Sequence, residues 1–269
     1  MNLILLAAGF SLLVVIVFDI AYSTISANQT GPVTTRIAMG LWTAFRFLAS
    51  RMGQDMVLRV AGPFVMSGLA LSWIALTSLG WLLIFRSEAN NLVLKETGEA
   101  ANWLQAYAYV GSALSTVGSS NVRAATTLWD NLTVVAAVNG MIVLTLSVTF
   151  VLNVTQTVAA GRSFSALIGV RDPADPSNDD LLMPALADIC TRLNASPLAL
   201  YYTPMHGKRS VPMSLEWLAR RVAGDTQRAH HYRQLLGELP YLDIDADSDP
   251  DQFPAAMKEW ASRFSTMNR

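Results

Sequence analysis

Three long apolar runs without a charged residue most constrain how this chain can fold. They cover residues 2–18, 60–85 and 131–161, and the first continues past Asp19 through a further apolar stretch to Ser26. Each run can supply a helix of about 20 residues, which crosses about 30 Å of hydrocarbon at about 1.5 Å per residue. The runs therefore predict three transmembrane helices. A cleaved signal peptide is the alternative for the first run, but no Lys or Arg precedes it and it is long for such a peptide.

The charged residues are concentrated in the C-terminal part of the chain. Of the 19 Lys and Arg and the 20 Asp and Glu residues, 26 follow residue 155, whereas 52% of the whole chain is hydrophobic. This distribution predicts a membrane protein with a water-soluble tail. The net charge of -1, without a basic block, argues against nucleic acid as a partner.

The positions of the cations predict the orientation of the spans. Residues 26–59 carry four arginines and one acid, whereas residues 86–130 carry three cations and four acids. Short cytoplasmic loops retain Lys and Arg. We therefore expect the first loop and the tail after Gly161 in the cytoplasm, and residues 86–130 on the outside.

A helix is predicted within the inner loop. Ile37, Leu41, Phe45 and Leu48 recur at helical spacing, with Trp42 beside them. The pattern is typical of an interfacial helix on the inner leaflet. A helix packed on the soluble side of the protein is the alternative.

Asp19 stands near the cytoplasmic end of the first span. Ionisable residues within a span are costly and often functional. Close to the interface, however, the carboxylate can be hydrated or can pair with an arginine such as Arg36. We expect Asp19 to be a structural anchor, and a functional role is the alternative.

A fourth uncharged segment, residues 100–122, carries most of its polar residues at its C-terminal end. If it crossed the membrane, the third span would run outwards and export the charged tail. A half-crossing avoids this: a short helix from about Trp103 to Leu114 enters, and residues 115–121 return as extended chain. Backbone at this depth must be buried in protein or line a water-filled path, and the helix C-terminus favours a cation. The segment therefore predicts a re-entrant loop beside a pore.

Residues 60–154 resemble the potassium-channel pore-loop family, the type with two helices around one re-entrant loop. The stretch ALSTVGSSNV and the following span NLTVVAAVNGMIVLTLSVTFVLNV carry the resemblance. The family filter reads T-V-G-Y-G-D, and Thr116, Val117 and Gly118 match its first three positions. The resemblance implies that backbone carbonyls and the threonine hydroxyl replace the hydration shell of an ion.

The last three filter positions depart from the family. Ser119 replaces the bracing tyrosine, Ser120 replaces the second glycine and Asn121 replaces the aspartate. Glycine tolerates the positive φ that a side chain disfavours, so poorer discrimination of K⁺ from Na⁺ is expected. Gly140 lies about where the family carries a gating hinge; close helix packing is the alternative. Asn139 beside it is a candidate for a hydrogen bond between helices.

The resemblance implies a homotetramer that conducts a monovalent cation, most simply K⁺, in a cell or inner membrane without another cofactor. The expected fold is all-α and integral to the membrane, with three spans, one re-entrant pore helix with its filter loop, and a cytoplasmic helical domain. The expected domains are an N-terminal transmembrane helix (1–24), a cytoplasmic interfacial segment (25–59), a pore domain (60–155) and the cytoplasmic domain (156–269). The alternative function is a non-conducting membrane scaffold or regulator that retains this fold.

The tail is predicted to be helical, because apolar residues recur at helical spacing in three places. The stripes comprise Leu182, Leu186, Ile189 and Leu193; Leu215, Leu218 and Val222; and Phe253, Met257, Trp260 and Phe264. These stripes are expected to form a core or a subunit interface.

Candidate metal ligands and nucleophiles in the tail give little support for a metal site or an enzyme. Asp243, Asp245, Asp247, Asp249 and Asp251 are low-ranked calcium ligands, because the glycine and closing glutamate of an EF-hand are missing. His230 and His231 are adjacent and cannot face one metal from a helix. Cys190 is the single cysteine, with a packing role expected. No pairing of a nucleophile with a base is apparent, so an enzyme is not expected.

Overall fold

The computed structural model describes residues 2–25, 31–52, 54–118, 121–201, 210–224, 226–244, 250 and 252–264. Three of its helices are long and apolar enough to cross a membrane, over Leu3–Thr24, Gly62–Phe85 and within Thr127–Val170. The three predicted spans are therefore present as helices.

The described chain is mainly helical, and short strands flank one helix. The helices are α1 (Leu3–Ile25), α2 (Pro32–Met52), α3 (Gln54–Phe85), α4 (Trp103–Leu114), α5 (Thr127–Val170), α6 (Asp179–Ala195), α7 (Val211–Arg221), α8 (Gln227–Gly237) and α9 (Phe253–Arg263). Strands β1 (Leu92–Leu94) and β2 (Val122–Ala124) pair antiparallel. The sequence did not predict this pair, because three residues are too few to show a strand periodicity.

The described residues fall into two compact units. The first lies within residues 1–25, 30–39 and 66–151, and the second within residues 40–65 and 152–269. The first unit contains the candidate site, and the second contains the helical tail.

Helices α1 and α3 approach each other closely through glycines in the first unit. A Cβ on Gly9 would lie 2.7 Å from the carbonyl oxygen of Gly80, and a Cβ on Gly80 would lie 2.7 Å from a methyl of Leu13. Small residues allow such backbone contact between membrane helices, where van der Waals packing drives association. Because neither Gly9 nor Gly80 has a side chain, α1 and α3 can pack with their backbones in contact.

Asp19 anchors the beginning of α2 to α1. Its Oδ1 accepts hydrogen bonds from the backbone N–H groups of Val33 (2.8 Å) and Thr34 (3.3 Å), and its Oδ2 accepts the Thr34 hydroxyl (2.6 Å). A carboxylate here accepts hydrogen bonds from N–H groups that the first turn of a helix leaves unpaired. The positive end of the helix dipole also stabilises its negative charge. Asp19 is only 2% exposed. Asp19 is therefore a structural anchor, as expected, but it binds the first turn of α2 and not the side chain of Arg36.

Thr34 extends the same network to α3. Its hydroxyl oxygen accepts a hydrogen bond of 3.0 Å from the indole Nε1 of Trp73, which is fully buried. Trp73 also packs edge-on against Phe150 of α5, with ring centroids 5.0 Å apart. One buried network therefore joins α1, the start of α2 and α3, and the aromatic pair extends it to α5.

The tail helices carry the predicted apolar stripes. Leu182, Leu186, Ile189 and Leu193 are buried on α6, and the stripes of α7 and α9 are buried as well. Ser210 begins α7 by accepting the N–H of Met213, which is the usual role of a serine at this position. Helix α8 was not predicted, because its buried positions include Tyr232 and Arg233 rather than an aliphatic stripe.

A salt bridge joins the start of α6 to α8. The Arg228 guanidinium donates to both oxygens of Asp179, at 2.7 Å and 2.8 Å, and the Tyr232 hydroxyl donates to Oδ1 at 2.9 Å. The hydrogen bonds from Arg228 lower the pKa of Asp179, and the one from Tyr232 acts in the same direction. Because the bidentate pair is partly buried, it stabilises the helical tail more than an exposed pair does.

Candidate functional site

Helix α4 begins at a capping box. The Asn102 side chain accepts the N–H of Gln105 at 2.9 Å, while the Gln105 side chain accepts the N–H of Asn102 at 2.8 Å. This reciprocal pair satisfies two N–H groups that a helix start leaves free. The helix runs from Trp103 to Leu114, the bounds that the sequence predicted. Its 12 residues correspond to about 18 Å.

The chain between α3 and α5 leaves from one end of this helix pair and returns to the same end. Leu94 pairs with Val122, and the N–H of Lys95 donates to the carbonyl of Asn121 at 3.0 Å. Residues 95–121, which we call the 95–121 loop, therefore form an excursion closed at its base. The strands that close it lie between the end of α3 and the beginning of α5.

Arg86 holds the start of α4 beside the end of α3. Its guanidinium donates to the carbonyl of Ala101 at 2.5 Å and lies 4.8 Å from the ring centroid of Trp103. The hydrogen bond and the cation–π contact fix the same arginine from two directions. The start of α4 is thus tied to the end of the second span.

The other end of α4 rests against the backbone of α5. A Cβ on Gly140 would lie 2.3 Å from the carbonyl oxygen of Leu114 and 2.7 Å from its Cα. Gly140 is about 20 Å along α5 from Thr127. The close approach gives Gly140 a packing role, the alternative that the sequence left open. A hinge at the same glycine stays a prediction.

Two side-chain hydrogen bonds hold this arrangement laterally. The Tyr109 hydroxyl on α4 lies 2.7 Å from the Thr133 hydroxyl on α5. The Trp81 indole on α3 donates to Asn139 Oδ1 on α5 at 3.0 Å, so the predicted interhelical bond of Asn139 is confirmed. Tyr109 and Thr133 were missed, since no local pattern relates residues 24 positions apart.

An aromatic and aliphatic cluster fills the space between these three helices. Phe85 lies at its centre, with its ring centroid 5.7 Å from those of both Tyr109 and Trp129. Ala106 and Val110 on α4 are fully buried in the same cluster. One face of α4 is therefore a core face. Its other face is exposed at Leu104 and Tyr107, 77% and 53% respectively.

The residues after α4 form a tight turn. The N–H of Thr116 donates to the carbonyl of Ala113, and the N–H groups of Val117 and Gly118 both donate to the carbonyl of Ser112. This is a Schellman arrangement, with Thr116 at the left-handed position at φ 60°. The expectation of an extended return is therefore wrong for residues 115–118, because the free carbonyls at the end of α4 capture these donors.

Thr116 and Gly118 both adopt positive φ. Gly118 has φ 82°, which glycine adopts without strain. Thr116 has a β-branched side chain, for which the left-handed region is unfavourable. Strained backbone of this kind persists only where the surrounding contacts impose it, and it is frequent at functional sites.

The turn after α4, which we call the tip of the 95–121 loop, contains three residues of the predicted filter. Thr116, Val117 and Gly118 are exposed in the single chain, Val117 by 81%. Asn121 lies at the base of the loop, where its backbone carbonyl accepts a hydrogen bond from the N–H of Lys95. Ser119 and Ser120 lie outside the described residues. The exposed tip is available to an ion, to water or to a neighbouring copy.

The tail offers little for metal chemistry among the residues that the structure describes. Among the described residues, no group of three or more His, Cys, Asp or Glu side chains is placed to hold a metal ion. Of the low-ranked calcium ligands, Asp243 is described, and Asp245, Asp247, Asp249 and Asp251 lie outside the described residues.

Cys190 packs inside the tail. It is 3% exposed, and burial raises the pKa of its thiol to about 12. A thiol with this pKa is almost entirely protonated at neutral pH, so it is a poor nucleophile. The predicted packing position of Cys190 is confirmed.

Comparison with known proteins supports a membrane location. The chain is 28% identical over 159 residues to the uncharacterized membrane protein YdjJ of Bacillus subtilis (strain 168), an alignment that covers 59% of this chain. It spans about half of that relative, 46% of its length. No protein-family model and no solved structure matches. Together with the three apolar helices, this likeness places the chain among membrane proteins.

Proposed function

We propose that this protein conducts monovalent cations passively through a pore to which each chain contributes one 95–121 loop. The path of that loop is the observation that carries the proposal. Helix α4 ends against the backbone of Gly140, part-way along a candidate span, and the chain then returns to Val122 at the end where it began. In a membrane, this path is re-entrant.

The exposure of the tip supports a pore rather than contact with lipid. Backbone polar groups at membrane depth must be buried in protein or face water. Thr116, Val117 and Gly118 are exposed in the single chain. Four copies that turn these tips towards a common axis enclose the backbone and create a hydrated path. The potassium-channel resemblance implies the same number of copies.

The end of α4 favours a cation. A helix C-terminus carries up to about half a negative charge on its unpaired carbonyl groups; the turn of residues 115–118 pairs the carbonyls of Ser112 and Ala113 and reduces this charge without reversing its sign. The last turn of α4 contains no basic residue that could neutralise it. Orientation by the positive-inside rule then opens this end towards the outer part of the pore and places the tail in the cytoplasm.

Selectivity for K⁺ is expected to be weak. The potassium-channel filter needs a series of carbonyl groups at fixed positions. Here the N–H groups of Thr116, Val117 and Gly118 are tied to the end of α4, and serines occupy the next two positions. Fewer ordered carbonyl sites discriminate less between K⁺ and Na⁺.

The reversal potential of the purified protein in a planar bilayer tests this proposal. With K⁺ on one side and Na⁺ on the other, we expect openings that reverse between zero and the K⁺ equilibrium potential. Thr116→Ala, which removes a filter hydroxyl, should shift the reversal potential. Thr126→Ala, an exposed position at the start of α5, should not.

A non-conducting scaffold is the second candidate function. The turn of residues 115–118 favours it, because its hydrogen bonds close the end of α4 instead of leaving an open filter. The scaffold predicts that cation leak from liposomes containing the folded, oligomeric protein equals that of empty vesicles. Such a result would overturn the proposal of conduction.

A further inference from the structure

Helix α2 has one face that combines arginines with large apolar side chains. Arg36, Met39, Thr43, Phe47 and Arg51 are exposed and follow one another at intervals of three or four residues. Residues at these intervals share one side of a helix. Met39 is 56% exposed and Phe47 is 59% exposed. We call these five residues the α2 stripe.

The charge of α2 has one sign only. Residues 32–52 contain three arginines and no Asp or Glu. The Arg51 guanidinium lies 4.9 Å from the ring centroid of Phe47. Arginine is weakly hydrated and keeps its charge when it stacks on a ring, and its planar edge suits phosphate. This end of the α2 stripe thus holds a phosphate-binding group directly above an apolar one.

The contacts of Asp19 fix where α2 begins. Asp19 is about 24 Å along α1 from its first residue, Leu3, a distance close to the hydrocarbon thickness of about 30 Å. Its bonds to Val33 and Thr34 tie the first turn of α2 to this end of the candidate span. Where such a span leaves the hydrocarbon, the lipid headgroups and their phosphates begin.

We propose that the α2 stripe binds the headgroups of acidic phospholipids. Arg36 and Arg51 pair with the phosphate groups, while Met39 and Phe47 contact the upper acyl chains. Cations beside exposed apolar residues, on a helix that starts at the boundary, match the build of helices that lie in the interface. A soluble protein partner would have to reach a face that begins at the bilayer. This lipid site is independent of conduction.

Spin-labelled lipids test the proposal on the full chain in phosphatidylcholine vesicles. The motionally restricted fraction of labelled phosphatidylglycerol is compared with that of labelled phosphatidylcholine. We expect the wild-type protein to prefer phosphatidylglycerol, with roughly a fivefold contribution from each arginine at the surface. Arg36→Gln combined with Arg51→Gln should remove most of this preference. Salt near 1 M, where the Debye length is about 3 Å, should reduce the wild-type preference towards that of the variant.

A matched control removes the same charge elsewhere. Arg123→Gln combined with Arg171→Gln changes two exposed arginines outside α2 and should leave the preference unchanged. Equal preference in the wild type and the α2 variant, or an equal loss in the control, would overturn the site. A label on Phe47→Cys tests the competing occupant, since the native Cys190 is buried. Spin–spin broadening there between copies would assign the face to a protein interface and reject lipid binding.

Discussion

The carbonyl oxygen of Leu114, the last residue of α4, lies where a side chain on Gly140 would begin. A Cβ at position 140 would be 2.3 Å from this oxygen, far closer than a non-bonded carbon atom approaches a carbonyl oxygen in a relaxed structure. The backbone of α4 therefore contacts the backbone of α5 at Gly140. Gly140 therefore determines where the turn after α4 rests on α5.

Gly140→Ala is expected to displace the turn and to lower cation flux at least tenfold. The clash is with backbone, so no side-chain rotation relieves it, and overpacking of this kind destabilises by about 1–3 kcal/mol. Flux from proteoliposomes and hydrogen exchange of residues 109–118 measure the two effects. Gly111→Ala is the matched control, because a Cβ there meets nothing within 4 Å. Altered open times with unchanged exchange would instead indicate a hinge.

Tyr109→Phe should loosen α4 without altering its core packing. It removes the hydrogen bond to Thr133, with a loss of about 1 kcal/mol, which corresponds to roughly fivefold faster exchange of α4 amides if they open locally. Tyr107→Phe removes the same group from an exposed ring, 53% accessible, and should leave exchange as in the wild type. Identical exchange in the two variants would show that the bond to Thr133 does not position α4.

Gly31→Ala should detach the start of α2. A Cβ there would lie 2.1 Å from Asp19 Oδ1, so the carboxylate must move away from Val33 and Thr34. We expect a loss of at least about 2 kcal/mol, since a buried charge would lose its donors. Thermal unfolding in detergent, followed by circular dichroism, measures the loss. Gly40→Ala is the matched control, because Gly40 lies on α2 and a Cβ there meets nothing within 4 Å. An equal loss of stability in this variant would contradict the explanation.

The tail should lose stability at acid pH through Asp179. Its pKa is lowered in the folded state by Arg228, so its contribution is present above the unfolded pKa of about 4 and is lost as pH falls through the lower folded value. The protection factors of the described amides within residues 179–237 of the full chain, each taken relative to the intrinsic exchange rate at the same pH, should fall over this range. Asp179→Asn should accelerate exchange at pH 7 and flatten the pH dependence. Asp188→Asn breaks an exposed pair with Arg192, and an equal effect there would refute the assignment.

The sequence was most informative where periodicity or composition acts locally. The three spans, α4 from Trp103 to Leu114 and the stripe on α6 follow from apolar spacing. The turn at Thr116 could not be predicted, because a β-branched residue is disfavoured at positive φ and only the end of α4 imposes it. The partners of Asp19 also depend on tertiary structure, since Thr34 is 15 positions away and nothing local favours its N–H over the charge of Arg36.

The pairing of Leu94 with Val122 has a consequence for how this architecture can vary. Because the strands close the loop at its base, a change in length at the exposed turn after α4 need not alter the pairing between α3 and α5 at that base. Each residue gained by α4 would carry the turn about 1.5 Å further along α5. The position of the turn along α5 is thus set by the length of one helix and limited by the glycine against which it rests.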